Sequence, residues 1–185
     1  MLVAVAAVSG CSAGYTTGNT ATVNLIIAAV NGGVPLQSDV SNGGAVISNS
    51  VELAVAVRFK NGNGITAPSV PSAVIIERYE VSYRRSDGRG VEGQDVPYRI
   101  SGNITMAFDV KNSGTDPLII EVVRAQAKLE PPLRNLRSVT GTSLGGAFVV
   151  TMFADITVHG RTISGQPVSG SGSLQIDFAD YNTTT

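Results

Sequence analysis

A chain of 185 residues with 13 basic and 14 acidic side chains has a net charge of -1 and no basic block or stripe to neutralise phosphates, which argues against nucleic acid as a partner. Its single cysteine excludes an internal disulfide, a CxxC redox pair and a thiolate metal cluster, and with no tryptophan and 5% aromatic residues it has few platforms for stacking sugars or bases. Charged residues, at 15%, fall below the usual ~25%, while Gly, Ser, Thr and Val are plentiful, the composition of an extracytoplasmic β-protein long enough to hold one core without metal or disulfide staples.

The chain opens with an apolar run from Leu2 to Val8, followed by Ser9, Gly10 and Cys11 and then by the polar, turn-rich residues 12–20. A run of that length is far below the ~20 apolar residues that cross a bilayer as a helix. Small residues suit the narrow cleft of a signal peptidase, and Val8-Ser9-Gly10-Cys11 resembles the lipobox of bacterial lipoproteins. The first basic residue is Arg58, so the basic opening of a secretory signal is missing, as expected of a start codon assigned too late. The resemblance implies removal of residues 1–10, lipid on Cys11, a tether over 11–21 and a folded domain over 22–185. It also implies a membrane partner held through acyl chains and a place in the cell envelope. Ser12 after the cysteine points to the outer membrane if the sorting habit of enteric lipoproteins applies.

Residues 22–30 are β-branched and apolar and end at Asn31-Gly32-Gly33, a first strand closed by a turn. Residues 34–50, rich in Gly, Ser and Asn, read as an irregular crossing. Val51, Leu53, Val55, Val57 and Phe59 alternate with polar or small residues, the period of a half-buried strand. Asn61-Gly62-Asn63-Gly64 is a turn, and Pro68 and Pro71 keep the next link out of any central ladder. Residues 73–85 form a long strand with Ile75, Tyr79, Val81 and Tyr83 on one face, broken by Glu77 near an edge or opposite a basic partner.

After a charged, glycine-rich loop at 86–95, Val96, Tyr98, Ile100, Ile104, Met106, Phe108 and Val110 share one parity, with a bulge or bend expected at Gly102. Residues 111–117 read as a hairpin connection to a returning strand over 118–128. Pro131-Pro132 interrupts the chain before 133–146, the one region suited to a helical turn. Phe148, Val150, Met152, Ala154, Ile156 and Val158 form the next strand, and Val168, Gly170, Gly172, Leu174, Ile176 and Phe178 the last. Phe108, Leu53, Phe148 and Ile176 are expected in the core.

This pattern is all-β, an antiparallel β-sandwich of about seven strands. The closing strands, with residues 160–168 running into 173–178, resemble the immunoglobulin or fibronectin type III class of bacterial envelope domains, without the Cys and Trp marks of antibody domains. The resemblance implies an immunoglobulin-like architecture and carries no catalytic residues with it.

Gly141-Thr142-Ser143-Leu144-Gly145 has the G-x-S-x-G form of a hydrolase elbow, but it leads into a β-branched stretch where the elbow needs a helix. The only histidine, His159, belongs at the far end of that strand, and reads as a hairpin-end side chain bonded to backbone. Asp87, Glu92 and Asp95 lack the alternating carboxylates and bidentate closing Glu of a calcium loop. A glycosidase-type acid pair is not selected by anything among the 14 acids.

Arg85, Asp87, Arg89, Glu92 and Asp95 make 86–95 the loop richest in charge and glycine. It is a candidate surface for a protein partner, with a solvated, salt-laced loop as the plainer reading. The sequence thus leads to a non-enzymatic envelope lipoprotein that binds or scaffolds, with no cofactor, metal or small-molecule substrate expected. A structural subunit assembling by strand addition comes second, and a hydrolase third.

Overall fold

A computed structural model of the chain describes residues 21–41, 45–60, 73–111, 116–137 and 148–181. Eight strands are defined there: β1 (Val23–Val30), β2 (Leu36–Asp39), β3 (Asn49–Phe59), β4 (Val74–Arg85), β5 (Ile100–Phe108), β6 (Leu118–Val123), β7 (Val150–Thr162) and β8 (Pro167–Ala179). A five-residue helix, α1 (Ala125–Leu129), follows β6. One sheet has the order β1-β3-β6 and the other β2-β8-β7-β4-β5. The protein is all-β, with one sheet curled into a half-barrel.

The alternation of β3 holds: Val51, Leu53, Val55 and Val57 are buried between the sheets, together with Phe108, Met152, Ile156, Ile176 and Phe178. The sheets meet most closely where β1 crosses β8. A Cβ on Gly170 would lie 2.8 Å from the Leu25 carbonyl oxygen, and one on Gly172 would lie 3.0 Å from Val30 Cγ2. Only glycine lets the two backbones approach this far.

Six expectations are corrected. The stretch 34–50 is not wholly irregular, because it contains β2, which pairs in parallel with β8 from Leu36↔Ile176 to Asp39↔Ala179. That adds an eighth strand and one parallel ladder to an otherwise antiparallel set, and four residues are too few for periodicity to reveal. Residues 111–117 do not close a hairpin, since β5 and β6 are terminal strands of different sheets. The strand read over 118–128 stops at Val123, and α1 takes the rest. Lys128 explains the turn: its side chain is buried and Nζ donates to the Asp39 carbonyl at 2.7 Å, fastening α1 over β2. Burial lowers its pKa, and the nearby Asp39 carboxylate opposes that shift.

Two further corrections concern parity. Ile76 pairs with Gly160 and Arg78 with His159, so Glu77 is an extra residue on β4, a bulge that turns the strand over. Val74 and Ile76 face inward before it and Tyr79, Val81 and Tyr83 after it, leaving Ile75 exposed. Glu77 does meet a basic partner, Arg161, at 3.3 Å. Phe148, expected in the core, is 63% exposed because it lies ahead of β7, where no facing sheet covers it. The bulge or bend expected at Gly102 is not there: the ladder slips between Asn103 and Met106, opposite Glu77, while Gly102 is in register with Tyr79, whose ring occupies the space a Cβ would need.

Candidate functional site

The registers order the two ends of the fold. Val23 of β1 pairs with Phe59 of β3, and Val74 of β4 pairs with both Phe108 and Thr162, all at one end. The opposite end holds Arg85, Ile100, Val123, Val150 and Ala179, where β4, β6, β8 finish and β5, β7 begin. The candidate loop and α1 both belong to that second end.

The loop is folded on itself. Arg85 N donates to the Arg89 carbonyl at 2.9 Å, Gly88 N to the Arg85 carbonyl at 3.0 Å, and Ser86 N ties the turn to the Thr151 carbonyl of β7 at 3.1 Å. Gly88 takes a positive φ of 85, a conformation glycine adopts without strain. Asp87 sits inside this turn. Its Oδ1 accepts from Arg89 N at 3.2 Å and Arg85 Nε at 3.2 Å, and its Oδ2 lies 3.0 Å from Arg85 Nη2 and 3.6 Å from Arg89 Nε. The backbone N–H of Arg89, aided by the Arg85 guanidinium, holds the Asp87 carboxyl below the usual range.

A second turn follows. The Val91 carbonyl accepts from Asp95 N at 2.8 Å and Val96 N at 3.2 Å, Asp95 Oδ2 accepts from Val91 N at 3.3 Å, and Val96 is buried as the anchor. Gly93, at φ 76, lies beneath the hydroxyl end of Tyr98, so that any Cβ there would displace the ring. Glu92 Oε1 accepts from Arg99 Nε at 2.8 Å. All five charged residues singled out in the sequence therefore have partners within the loop or at its base. Asp95 holds a backbone N–H and the other four form solvent-screened ion pairs, so these contacts shape the loop more than they stabilise the protein.

Arg99 stands on a ridge between two clefts. On one side, about 290 Å³ on the outer face of the larger sheet is lined by Glu80, Ser82, Ser101, Asp155 and Thr157. On the other, about 120 Å³ lies between Tyr98 and Ile100 and the α1 residues Ala127 and Gln126, closed by Pro97 and Pro131 and rimmed by Arg124 and Glu130. Arg124 Nη2 donates to the Ser101 carbonyl at 2.8 Å, bridging from the end of β6 to the edge strand β5. Phe148 and Val149, both exposed, enter β7 beside the Ser86 turn.

The sequence missed Tyr98, Arg99, Arg124 and Phe148 as surface residues. Parity along the chain turns Tyr98 and Phe148 inward, yet both precede their strands, and Pro97 is the signal that the strand has not begun. The acids that the sequence could not pair are partly sorted here: Glu80 and Asp155 share a cleft, but Glu80 engages Arg78 at 2.6 Å and Asp155 engages Arg84 at 2.9 Å. His159 is not bonded to backbone through Nε2, which makes no hydrogen bond among the described residues and lies 3.8 Å from Glu80 Oε1. No group of three His, Cys, Asp or Glu able to hold a metal occurs among the described residues. Cys11 with its leader, Ser143, the 61–64 turn and residues 138–146 lie outside the described residues.

Comparison with family models, with curated proteins and with solved structures finds no match to this chain. The functional reading rests on its own residues and geometry.

Proposed function

We propose that this chain is the immunoglobulin-like β-sandwich module of a bacterial envelope lipoprotein, tethered through lipid on Cys11 and binding or scaffolding a protein partner without catalysis. The observation that carries it is the separation of the two ends. β1 begins at Val23 at one end, so a tether over residues 11–21 enters there, while the 86–95 loop, Tyr98, Arg99 and Phe148 belong to the opposite end. A membrane anchor at Cys11 would direct those residues away from the bilayer, where exposed aromatic and arginine side chains are the types that anchor protein interfaces. Scaffold-held loops are a usual place for such contacts.

Two measurements test this reading. Intact mass of the membrane-extracted protein is expected to reveal loss of residues 1–10 and an acyl-glyceryl addition; a free Cys11 thiol on a chain that keeps those residues overturns the anchor. Replacing residues 87–92 by a neutral Gly-Ser linker of equal length is expected to abolish recovery of the membrane partner that co-purifies with the wild type. Undiminished recovery from a folded variant overturns the loop as the contact.

A second reading, a structural subunit that associates by strand addition, draws on β5, a nine-residue strand at the open margin of the larger sheet. Size-exclusion chromatography across a concentration series distinguishes it: a monomer at all concentrations removes self-assembly.

A further inference from the structure

The outer face of the smaller sheet differs from that of the larger one. On β3 the residues that alternate with the buried Val51, Leu53, Val55 and Val57 are Glu52, Ala54, Ala56 and Arg58. Ile26 of β1 is opposite Ala56, Ala29 is opposite Ala54, and Ile119 of β6 is opposite Glu52. Ile26 is 38% exposed and Ile119 59%. The middle of this face is therefore small and aliphatic, with an acid towards one end of β3 and a base towards the other, about 20 Å apart at strand spacing. Each arginine of β4 has a carboxylate partner. Glu52 and Arg58, both exposed, form no ion pair among the described residues.

We propose that this face pairs with the same face of a second copy of the chain, the two β3 strands antiparallel about a two-fold axis level with Val55. In a two-fold contact residue i meets j and j meets i. Glu52 of each copy then lies opposite Arg58 of the other, so two ion pairs form, one at each end, and Ala54 lies opposite Ala56. Ile26 of one copy stands over Ala29 of the other, large against small. Ile119, beside Glu52, lies against the methylene stem of the incoming Arg58. Charge selects this direction, because parallel stacking sets Glu52 against Glu52 and Arg58 against Arg58. The alanines leave no bulk between the sheets, and the long Glu and Arg side chains reach across the ~10 Å that separates packed sheets. Three strands over seven residues make a face of about 15 by 20 Å. That is less than the ~800 Å² per partner of a stable complex, so the pair is weak, forming at concentrations on the order of 0.1 mM. The axis keeps both β1 strands on one side of the dimer and leaves the 86–95 loops uncovered, so the inference goes beyond the partner-binding reading without competing with it.

The test is sedimentation equilibrium of the full-length chain in density-matched detergent, with two charge reversals, Glu52→Arg and Arg58→Glu. The wild type is expected to pass from monomer to dimer as concentration rises, less readily in high salt. Each reversal enters the contact twice by symmetry and should weaken pairing tenfold or more, while the exposure of both positions lets the variants melt with the wild type. Mixed in equal amounts, the two reversed chains should pair with each other, because every acid again meets a base, and the double reversal in one chain should pair with itself. A wild type that stays monomeric up to about ten times that concentration overturns the proposal. So does a dimer indifferent to both reversals, a result that moves self-association to the β5 margin. Failure of both the mixture and the double reversal to restore pairing overturns the antiparallel contact.

Discussion

The hydroxyl of Tyr83 donates a 2.6 Å hydrogen bond to the carbonyl of Val122, and it does so across the core, from β4 of one sheet to β6 of the other. Val122 is the residue β6 cannot pair. Asn49 is opposite Val123 and Ser50 opposite Glu121, so Val122 is the extra residue of a bulge. Its carbonyl finds a phenol where the ladder offers nothing, which is how a buried backbone acceptor at a bulge stays satisfied.

Tyr83→Phe keeps the ring and leaves that carbonyl without its donor, with an expected loss of about 1–3 kcal/mol in urea unfolding. Burial raises the Tyr83 phenol above its ordinary value of 10.0. The folded state then keeps a proton that the unfolded chain releases, so wild-type stability is present in full below pH 10 and falls as pH climbs beyond it. The phenylalanine variant should lack this part of the alkaline decline; identical pH profiles would refute the assignment.

Lys128 has the opposite sign. Its folded pKa lies below the ordinary 10.5, so between the two values the unfolded chain binds the additional proton and stability rises with pH towards 10.5. Lys128→Met should flatten the rise in urea midpoints expected as pH approaches 10.5. A variant that tracks the wild type over that range would mean that the amine is solvated.

Gly102→Ala tests the pairing with Tyr79. The added methyl has to move the ring from its place over the strand, a strain of about 1–3 kcal/mol, visible as a lower melting temperature. Restoration by Tyr79→Ala in the same chain is not expected to be complete, since the buried ring is lost with it.

Phe108 and Phe148 form a matched pair of expectations. Truncating the buried Phe108 to Ala should cost about 3–5 kcal/mol, whereas the same change at the exposed Phe148 should stay within about 0.5 kcal/mol. Equal losses at the two positions would place Phe148 in the core after all. If Phe148→Ala weakens partner recovery while leaving stability intact, the contact surface extends beyond the loop to the start of β7.

Periodicity along the chain was sufficient for the all-β class and for the inward faces of β3, β7 and β8, because alternation with burial is local information written into every second residue. The charged loop was likewise legible from composition, but its internal pairing was not, since Asp87 between Arg85 and Arg89 and Glu92 beside Arg99 depend on how two turns fold back. Tertiary structure alone decided the rest. The bulge at Glu77 reverses parity with one extra residue, and nothing in the local pattern marks which side of it faces the core. β2 pairs only with β8, α1 is fastened where Lys128 reaches the Asp39 carbonyl, and β5 and β6 separate into different sheets although a short connection joins them. Whether Phe148 or Tyr98 is buried depends on what lies across from it, a property of the opposing sheet and not of the strand itself.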